Sequence, residues 1–422
     1  MIKLNHLDYY RLPWNLTDNI ISWLEPTAKC NLACLGCYRK NEVNSHKPLD
    51  EVDREIDVFT SYRNTDCISV AGGDPLLHPQ IAEIVKLIKK RGIKPIINTN
   101  GIALTEELLK ELKRAGVYGF TFHIDSKQNR PGWKDANEIE LNELRYKYAK
   151  MLADEKGLAC SFNSTVYEDT IQFVPELVKW AENNIDIVNT MVFILYRAVD
   201  NNKVDFFLGS QKIDMNSLVY NEDVPDRTDI QAEEVYEIIK KGYPEFDSCA
   251  YLNGSEKPDS FKWLLSGRVG RKGKTYGFLG PKSMEIVQVF YHLFTGKYLS
   301  YTSPKDSGRG KSLLMLSIFD KKLRKAFWNY YKNPFNVFKK LYYQSIMIIQ
   351  PIDFLDDGRQ SMCDGCPDMT VWNGKLVWSC RLEEQLKYGY NLKTYPKGLG
   401  RYAEEVIEED PVEEKKLEKE LV

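Results

Sequence analysis

The chain has 422 residues, with 58 Lys and Arg against 60 Asp and Glu, and 43% of its residues are hydrophobic. This composition excludes a mostly disordered chain, and the balanced charge argues against binding of a polyanion over the whole surface. No run approaches the ~20 apolar residues of a membrane-spanning helix, and the first residues lack the apolar core of a secretory signal. We therefore expect a cytoplasmic protein.

Between residues 20 and 200, short apolar segments alternate with amphipathic helical ones. Helices are predicted from Leu49, after Pro79, from Thr105 to Gly116, up to Gly157, and over 171–184. The intervening segments are rich in Ile, Val and Phe, which is typical of buried parallel strands; they are 21–26, 67–71, 94–98, 119–124, 159–166 and 188–196. Six such repeats imply a parallel sheet, either doubly wound or a full or partial barrel, with ligands at the carboxyl ends of the strands.

Beyond residue 200 this alternation stops, and the chain divides by composition. We predict an N-terminal extension (1–19), a core (20–200), a linker with a basic and aromatic region (201–350), a cysteine-bearing region (351–403) and a charged tail (404–422). Residues 250–312 predict loops with short elements. Residues 321–344 hold seven Lys or Arg, eight aromatics and no acid. Three readings of that segment stay open: a membrane-interfacial surface, a phosphate or nucleic-acid site, and packed helices with a basic rim.

Three of the nine cysteines directly follow the first predicted strand. Cys30, Cys34 and Cys37 have the spacing C-x3-C-x2-C. An odd, bunched set of cysteines without a signal sequence favours metal ligation over disulfides. Thiolates are the usual ligands of a [4Fe–4S] cluster, which normally takes four of them, so three on one loop leave one iron free. Zinc is the alternative, and His46 is the nearest candidate for its fourth ligand.

A second motif, Gly72-Gly73-Asp74-Pro75, ends the second strand. Glycines permit close approach of the backbone to a ligand, and Asp74 adds a negative charge. Taken alone, this motif is also a common strand-to-helix turn.

Together, the cysteine loop and the GGDP turn resemble the radical S-adenosylmethionine (SAM) superfamily over about residues 20–200. Two departures are Gly36, where that family usually has an aromatic residue, and Asp74 in place of Glu. The resemblance implies a partial (β/α)6 TIM-type barrel with a C-terminal α+β extension. It also implies a cluster on Cys30, Cys34 and Cys37 whose free iron binds SAM, and a 5′-deoxyadenosyl radical that abstracts hydrogen from a substrate.

The same resemblance implies further cofactor contacts at the strand ends. Gly72, Gly73 and Asp74 are expected to face the methionine ammonium group. The other candidates lie at the ends of the next three strands: Asn100, Asp125, Ser126, Arg130 and Asn163. Each has a structural alternative, since Asn100 opens a common turn and Asp125 can cap a helix.

A second cysteine group, Cys363, Cys366 and Cys380, lies near the C-terminus. A hairpin predicted at Asn373-Gly374 would fold Cys380 back toward the other two. This region resembles the SPASM or twitch region of radical SAM enzymes, which implies a second [4Fe–4S] cluster. Cys249 is either its fourth ligand or a buried thiol, and zinc is the alternative metal.

The substrate follows less directly from the sequence. We expect a lipid or a phosphorylated small molecule, with a peptide as the alternative, and a low-potential electron donor such as flavodoxin or ferredoxin. A peripheral membrane contact is compatible with the basic, aromatic segment, and we do not expect nucleic acid as a partner. A different class, a non-catalytic zinc- or nucleic-acid-binding protein, also stays open.

Overall fold

The computed structural model describes residues 4–198, 203–214 and 227–397. Its centre is a curved sheet of eleven strands. Six of them carry the predicted β/α repeats: β2 (Asp18–Thr27), β3 (Asn64–Gly72), β4 (Lys94–Thr99), β5 (Gly119–His123), β6 (Ala159–Val166) and β7 (Thr190–Leu195). They are parallel and pair in chain order. The fold class, a mixed α/β protein with a partial barrel, is confirmed.

The helices that connect these strands begin and end close to the predicted positions. They are α1 (Leu49–Tyr62), α2 (Ile81–Lys90), α3 (Glu106–Ala115), α4 (Leu141–Glu155) and α5 (Val174–Asn183). Thr105 caps α3 by accepting a hydrogen bond from the Leu108 amide, and Gly116 ends it in a left-handed conformation. Alternation along each strand sends one set of side chains to these helices, as with Phe120 and Phe162, and the other set into the barrel lumen.

The sheet continues beyond the predicted core with strands from distant parts of the chain. β13 (Tyr342–Ile349) pairs in parallel with β7, and β11 (Trp263–Arg271) pairs antiparallel with β13. The remaining strands of the sheet are β1 (Tyr10–Arg11), β10 (Ala250–Leu252) and β12 (Lys274–Phe278). β1 and β2 lie at opposite ends of the strand order although only residues 12–17 join them. That short connection curls the sheet, and the rings of Trp14 and Trp263 meet 5.9 Å apart.

The segment from 232 to 341 is more regular than predicted. The loops expected over 250–312 contain β11, which is buried over nearly its whole length, and the fifteen-residue helix α7 (Pro281–Thr295), which buries Ser283, Met284 and Gln288. The other helices here are α6 (Ala232–Gly242), α8 (Pro304–Ser307), α9 (Gly310–Leu314) and α10 (Lys321–Tyr331). Within the basic, aromatic segment, α10 ends at Tyr331 and Pro334 begins a single helical turn, Pro334–Phe338. Residues 342–344 of the segment belong to β13. The charged tail, 404–422, lies outside the described residues.

Small elements complete the C-terminal region. The predicted hairpin is present as β16 (Met369–Trp372) and β17 (Lys375–Trp378), with Asn373 and Gly374 both at positive φ. Helix α11 (Leu382–Tyr388) follows, and β14 (Asp353–Phe354) pairs with β15 (Gln360–Ser361). A three-stranded sheet joins β18 (Lys393–Pro396), β8 (Val204–Leu208) and β9 (Gln211–Ile213). Among the described residues, no helix is long and apolar enough to cross a membrane.

Candidate functional site

The loop that carries Cys30, Cys34 and Cys37 lies over the carboxyl ends of the barrel strands. The side chain of Asn41 closes the loop, because it accepts from the Cys30 amide (3.0 Å) and donates to the Cys30 carbonyl (2.9 Å). The Leu35 amide donates to the Lys127 carbonyl across the barrel mouth (2.9 Å). The three thiols form no disulfide.

Gly36 explains why this loop departs from the family pattern. Its φ is +69°, and a Cβ there would lie 2.7 Å from the ring of Tyr196. The Tyr196 ring packs against Tyr167 at 5.0 Å with a tilt of 35°, and the Tyr167 hydroxyl donates to the Leu35 carbonyl at 2.8 Å. The aromatic support of the loop therefore comes from two tyrosines near the ends of β6 and β7. Tyr38 instead packs among the side chains of the three-stranded C-terminal sheet.

The GGDP turn acts on the cysteine loop through the backbone. A Cβ on Gly73 would lie 2.2 Å from the Lys29 carbonyl oxygen, and one on Gly72 would lie 2.4 Å from that of Thr27. The Gly73 amide donates to the Thr27 carbonyl at 2.8 Å, and the Asp74 amide donates to the Lys29 carbonyl at 2.7 Å. The close approach that these glycines permit is therefore to the residues leading into Cys30.

Asp74 is fully buried and occupied by protein donors. Its carboxylate accepts from the Thr99 hydroxyl (2.8 and 2.9 Å) and from the Asn100 and Leu76 amides (3.0 Å each). Burial raises the pKa of Asp74, and these hydrogen bonds oppose the rise. In this structure the side chain joins the ends of β3 and β4, so its contact with a ligand ammonium stays a prediction.

Asn100 connects the end of β4 to the cysteine loop. Its side-chain amide donates to Asn31 (2.6 Å) and approaches the Cys30 sulfur at 3.8 Å. Burial raises the pKa of the Cys30 thiol, and the Asn100 amide is one of the groups that oppose this shift. A donor at this position is suited to a sulfur that carries negative charge.

Asp125 and Arg130 lie beside the second cysteine of the loop. Burial, followed by the charges of Asp125 and of the other two cysteines, raises the pKa of the Cys34 thiol, while Arg130 lowers it. Asp125 accepts from the His123 ring (3.0 Å) and the Lys127 amide (3.0 Å). Burial alone would raise the pKa of Asp125, but these hydrogen bonds hold it below its ordinary value.

Arg130 is a buried cation that pairs with no acidic side chain of the described residues. It donates to the Asn100 carbonyl (2.8 Å), the His123 carbonyl (3.2 Å) and the Gln128 side chain (2.9 Å). Its Nε has no hydrogen-bond partner. An unpartnered donor on a buried guanidinium suits an anionic ligand group, and the cofactor contact of Arg130 stays a prediction.

The last two predicted cofactor residues, Ser126 and Asn163, lie in different parts of the barrel. The Ser126 amide donates to Glu138 (2.7 Å), which forms a buried ion pair with Arg145, so this position belongs to the loop that precedes α4. Asn163 lines the barrel lumen. These placements do not test the predicted contacts of either residue with SAM.

A cavity of about 260 Å³ occupies the lumen below the strand ends. Most of its wall is apolar, as with Trp23, Val192 and Met347. Asn98 on β4 and Asn163 on β6 line it, and Arg309 lines it on the segment that covers the other end of the barrel. Its volume is slightly below the roughly 300–1,000 Å³ that is typical of small-molecule pockets.

The second cysteine group is also brought together. The interaction with the Cys366 thiol lowers the pKa of Cys363, and the charges of Cys363 and Cys366 both interact with Cys380. Arg63, at the start of β3, donates to the carbonyls of Cys366 (2.9 Å) and Pro367 (2.8 Å). The hairpin thus returns Cys380 to the C-x2-C loop as predicted, and a side chain from the barrel holds that loop.

Asp368 and Cys249 occupy different positions relative to this second group. Asp368 interacts electrostatically with all three thiols and lines the lumen; burial raises its pKa to about 7, and Arg63 opposes that shift. Cys249 is fully buried in the apolar core, where its thiol donates to the Leu265 carbonyl at 3.4 Å. That environment is the one expected of the buried-thiol alternative, and the role of Cys249 as a fourth ligand stays a prediction.

An ion pair that the sequence does not reveal joins the two cysteine groups. Arg39 and Glu25 are both buried and paired, with Nη2 to Oε1 at 2.7 Å. The same Nη2 donates to the Ser379 carbonyl at 2.8 Å. Arg39 is two residues after Cys37, and Ser379 precedes Cys380. The one sequence signal for this contact is that Arg39 lies two residues after a predicted cluster ligand. Its partners, Glu25 and Ser379, lie 14 and 340 positions away in the chain.

The donor sets fit iron–sulfur clusters. Each site presents three unbridged thiols, and the first adds an amide donor to sulfur. Over 4–198, 203–214 and 227–397, no three His, Cys, Asp or Glu side chains converge on the position of a single metal ion. A four-iron cluster binds its thiolates through different irons, so they need not converge on one point. The fit to a cluster therefore rests on the three thiols of each site and on the surroundings of the two loops.

Comparison with known proteins identifies the N-terminal part of the barrel. Residues 24–139 match the Radical SAM superfamily model and form a radical SAM domain, a type that uses a [4Fe–4S] cluster and SAM. The predicted cofactors are thereby confirmed for the domain. The match does not extend to the C-terminal cysteine region, whose likeness to SPASM or twitch regions stays a prediction.

Two curated proteins illustrate the range of relatives. The tungsten-containing aldehyde ferredoxin oxidoreductase cofactor-modifying protein of Pyrococcus furiosus is 28% identical over 52% of this chain and 60% of its own length. The probable GTP 3′,8-cyclase of Methanococcus maripaludis is 34% identical over 39% of this chain and 63% of its own. The chain therefore spans about three fifths of these relatives.

Among solved structures, SuiB of Streptococcus suis is 14% identical and aligns with a TM-score of 0.39, over 54% of this chain and 46% of SuiB. A likeness of that degree carries no argument about this chain.

Proposed function

We propose that the chain is a radical SAM enzyme that abstracts hydrogen from an apolar or amphipathic small molecule held in the barrel lumen. The observation that carries this proposal is the position of the Cys30, Cys34 and Cys37 loop at the mouth of an apolar cavity, within the segment that matches the family. When bound, a reduced cluster and SAM would supply a 5′-deoxyadenosyl radical, the species that takes the hydrogen atom.

The residues of the first loop would hold the cluster and exclude solvent from it. Gly72 and Gly73 fix the backbone before Cys30, and Gly36 seats the loop on Tyr196. The Asn100 amide would donate to the Cys30 sulfur and favour its thiolate form.

The opposite wall of the mouth would bind SAM. Arg130 offers its free Nε to the carboxylate of the methionine moiety, and Asp125, held below its ordinary pKa, offers a negative charge. The His123 ring bonds both Asp125 and the Thr165 hydroxyl (2.9 Å), so β5 and β6 hold this wall in one geometry.

The lumen favours an apolar or amphipathic substrate. Val192 and Met347 give it apolar walls, while Asn98 and Asn163 are polar groups close to the mouth. A few polar groups in an apolar cavity orient a ligand. The second cysteine group lies on the other side of Asp368, and we propose that it holds an auxiliary cluster needed for substrate turnover.

Anaerobic reconstitution with iron and sulfide tests the first site. With SAM and a chemical reductant, the protein should form 5′-deoxyadenosine. Cys37→Ala should abolish that product, because it removes one of three thiolates. Cys160→Ala is the matched control, since Cys160 is buried on β6 away from both cysteine groups. If Cys37→Ala still cleaves SAM, the assignment of the loop is wrong.

The second site is tested separately with Cys366→Ala. This variant should bind about half the iron of the wild-type protein and still cleave SAM, but it should lose turnover of any substrate found for the wild type. Unchanged iron content in Cys366→Ala would contradict the auxiliary cluster. Turnover of peptides but not of apolar molecules by the wild-type protein would favour the alternative substrate class.

A further inference from the structure

Residues 281–341 form a cover over the amino ends of the barrel strands, opposite the cysteine loop. Polar contacts at three strands anchor this basal segment. His292 bonds Asp18 at the start of β2 (2.6 Å), Tyr291 donates to Asp66 on β3 (3.0 Å), and Asn189, just before β7, donates to Ser307 (2.9 Å). Its inner side therefore belongs to the barrel, and its outer side faces away from the cofactor site.

That outer side is unusually apolar. Eleven of the nineteen large apolar side chains that are most exposed in the described residues lie within this segment. On α7, Phe290, Leu293 and Phe294 occupy one face, and Phe294 is 79% exposed. On the short turns that follow, Ile318 is 73% exposed and Phe338 is 87% exposed. Concentration of exposed apolar groups within one segment indicates a docking surface.

The same segment is strongly basic. It holds twelve Lys or Arg and three Asp or Glu, a formal charge of +9, so the rest of the chain carries −11. Three Lys of the segment, Lys332, Lys339 and Lys340, alternate with exposed aromatics and form no ion pair with any acidic side chain in the described residues. Apolar groups that insert and cations that surround them fit a surface that is both apolar and anionic.

We propose that the basal segment docks on an anionic lipid bilayer. The exposed apolar groups project from a helix face and from two short turns, with lysines among them, and a lipid interface accepts such an arrangement without a matched groove. The cavity is lined by Arg309 and Leu313 of this segment, so the docked face would place the lumen next to the bilayer. That last step rests on the proposed apolar substrate, but the docking itself does not.

Vesicle flotation tests the docking with the full-length chain. Phosphatidylcholine vesicles that contain phosphatidylglycerol should carry the protein upward, and vesicles of phosphatidylcholine alone should carry much less of it. Phe294→Ser with Phe338→Ser should abolish flotation. Leu7→Ser with Leu386→Ser is the matched control, because both leucines are exposed elsewhere (78% and 59%). Lys339→Glu with Lys340→Glu should weaken binding by about 30-fold or more, since each lysine contributes about fivefold at an anionic surface.

Three outcomes would overturn the proposal. In the first, the wild-type protein stays with the bulk solvent at all anionic lipid contents. In the second, the Leu7 and Leu386 control loses as much binding as the Phe294 and Phe338 variant. In the third, the wild-type protein self-associates, and the phenylalanine variant becomes monomeric without losing lipid binding, which would assign the face to a second copy of the chain. Cys37→Ala should still float, so failure of docking is distinguishable from failure of the SAM chemistry.

Discussion

The buried pair of Arg39 and Glu25 allows a quantitative test of how the two cysteine sites are joined. Arg39→Met removes the cation but keeps an unbranched side chain of similar length. It leaves Glu25 (6% exposed) without its partner and removes the Arg39 donor from the Ser379 carbonyl, which keeps its bond from the Leu382 amide. Loss of one member of a buried ion pair typically costs about 3–5 kcal/mol, mostly because the remaining charge is stranded.

The double variant separates the charge from the connection. Glu25→Leu with Arg39→Met replaces both charges by apolar groups, a change that is often nearly neutral for stability. We therefore expect Arg39→Met to lower the free energy of unfolding by about 4 kcal/mol and the double variant to recover at least half of that loss. Both variants should lose the bond to Ser379.

Urea unfolding of the reduced, metal-free protein measures the stability difference, and iron content after reconstitution measures the connection. The double variant should regain stability while the second cysteine group still binds iron less completely than in the wild-type protein. If the double variant is as unstable as Arg39→Met, the stranded charge is not the cause. If both variants bind iron fully, the Ser379 contact has no role at the second site.

Three further predictions concern individual residues. Gly36→Ala should lower iron binding, because its Cβ would meet the Tyr196 ring. Gly92→Ala is the control, since Gly92 is also at positive φ but has nothing within 4 Å; it should lower the free energy of unfolding by only about 1 kcal/mol and keep the iron. Equal losses of iron in the two variants would contradict the steric reason. Burial, opposed by a nearby lysine, raises the pKa of Glu55 to about 7. The folded chain then holds that proton more tightly than the unfolded one, so stability should fall as pH rises from about 4 through 7, and Glu55→Gln should remove up to about 3 kcal/mol of that fall in urea unfolding; an unchanged pH slope would refute this. Asn100→Leu should weaken iron binding about 10-fold, and full iron retention against a chelator would contradict its contact with the first cysteine.

The sequence predicts the first half of this structure well because its signals are local. Alternation of short apolar segments with amphipathic helical ones located six strands, and Thr105 and Gly116 marked the ends of α3. The hairpin at Asn373-Gly374 followed from turn residues whose positive φ few other residues adopt. The motif around Cys30 likewise depends on spacing within a short stretch.

The rest depends on contacts between distant residues, which one sequence does not display. β13 begins within the basic, aromatic segment, and only its pairing with β7 makes it a barrel strand. The glycines of the GGDP turn pack against Thr27 and Lys29, a contact that the sequence does not indicate, and their approach to a ligand stays a prediction. Arg39 and Ser379 are 340 positions apart, so their contact appears only after folding.

The strand order also constrains when the protein can mature. β13 lies between β7 and β11, so the wall of the barrel stays open until the ribosome has released residue 349, and Arg39 finds the Ser379 carbonyl later still. The cysteine loop is translated early but gains its complete surroundings late. During synthesis, the protein surroundings of the cysteine loop would therefore be incomplete. We expect iron to be delivered to the chain only after its synthesis is finished.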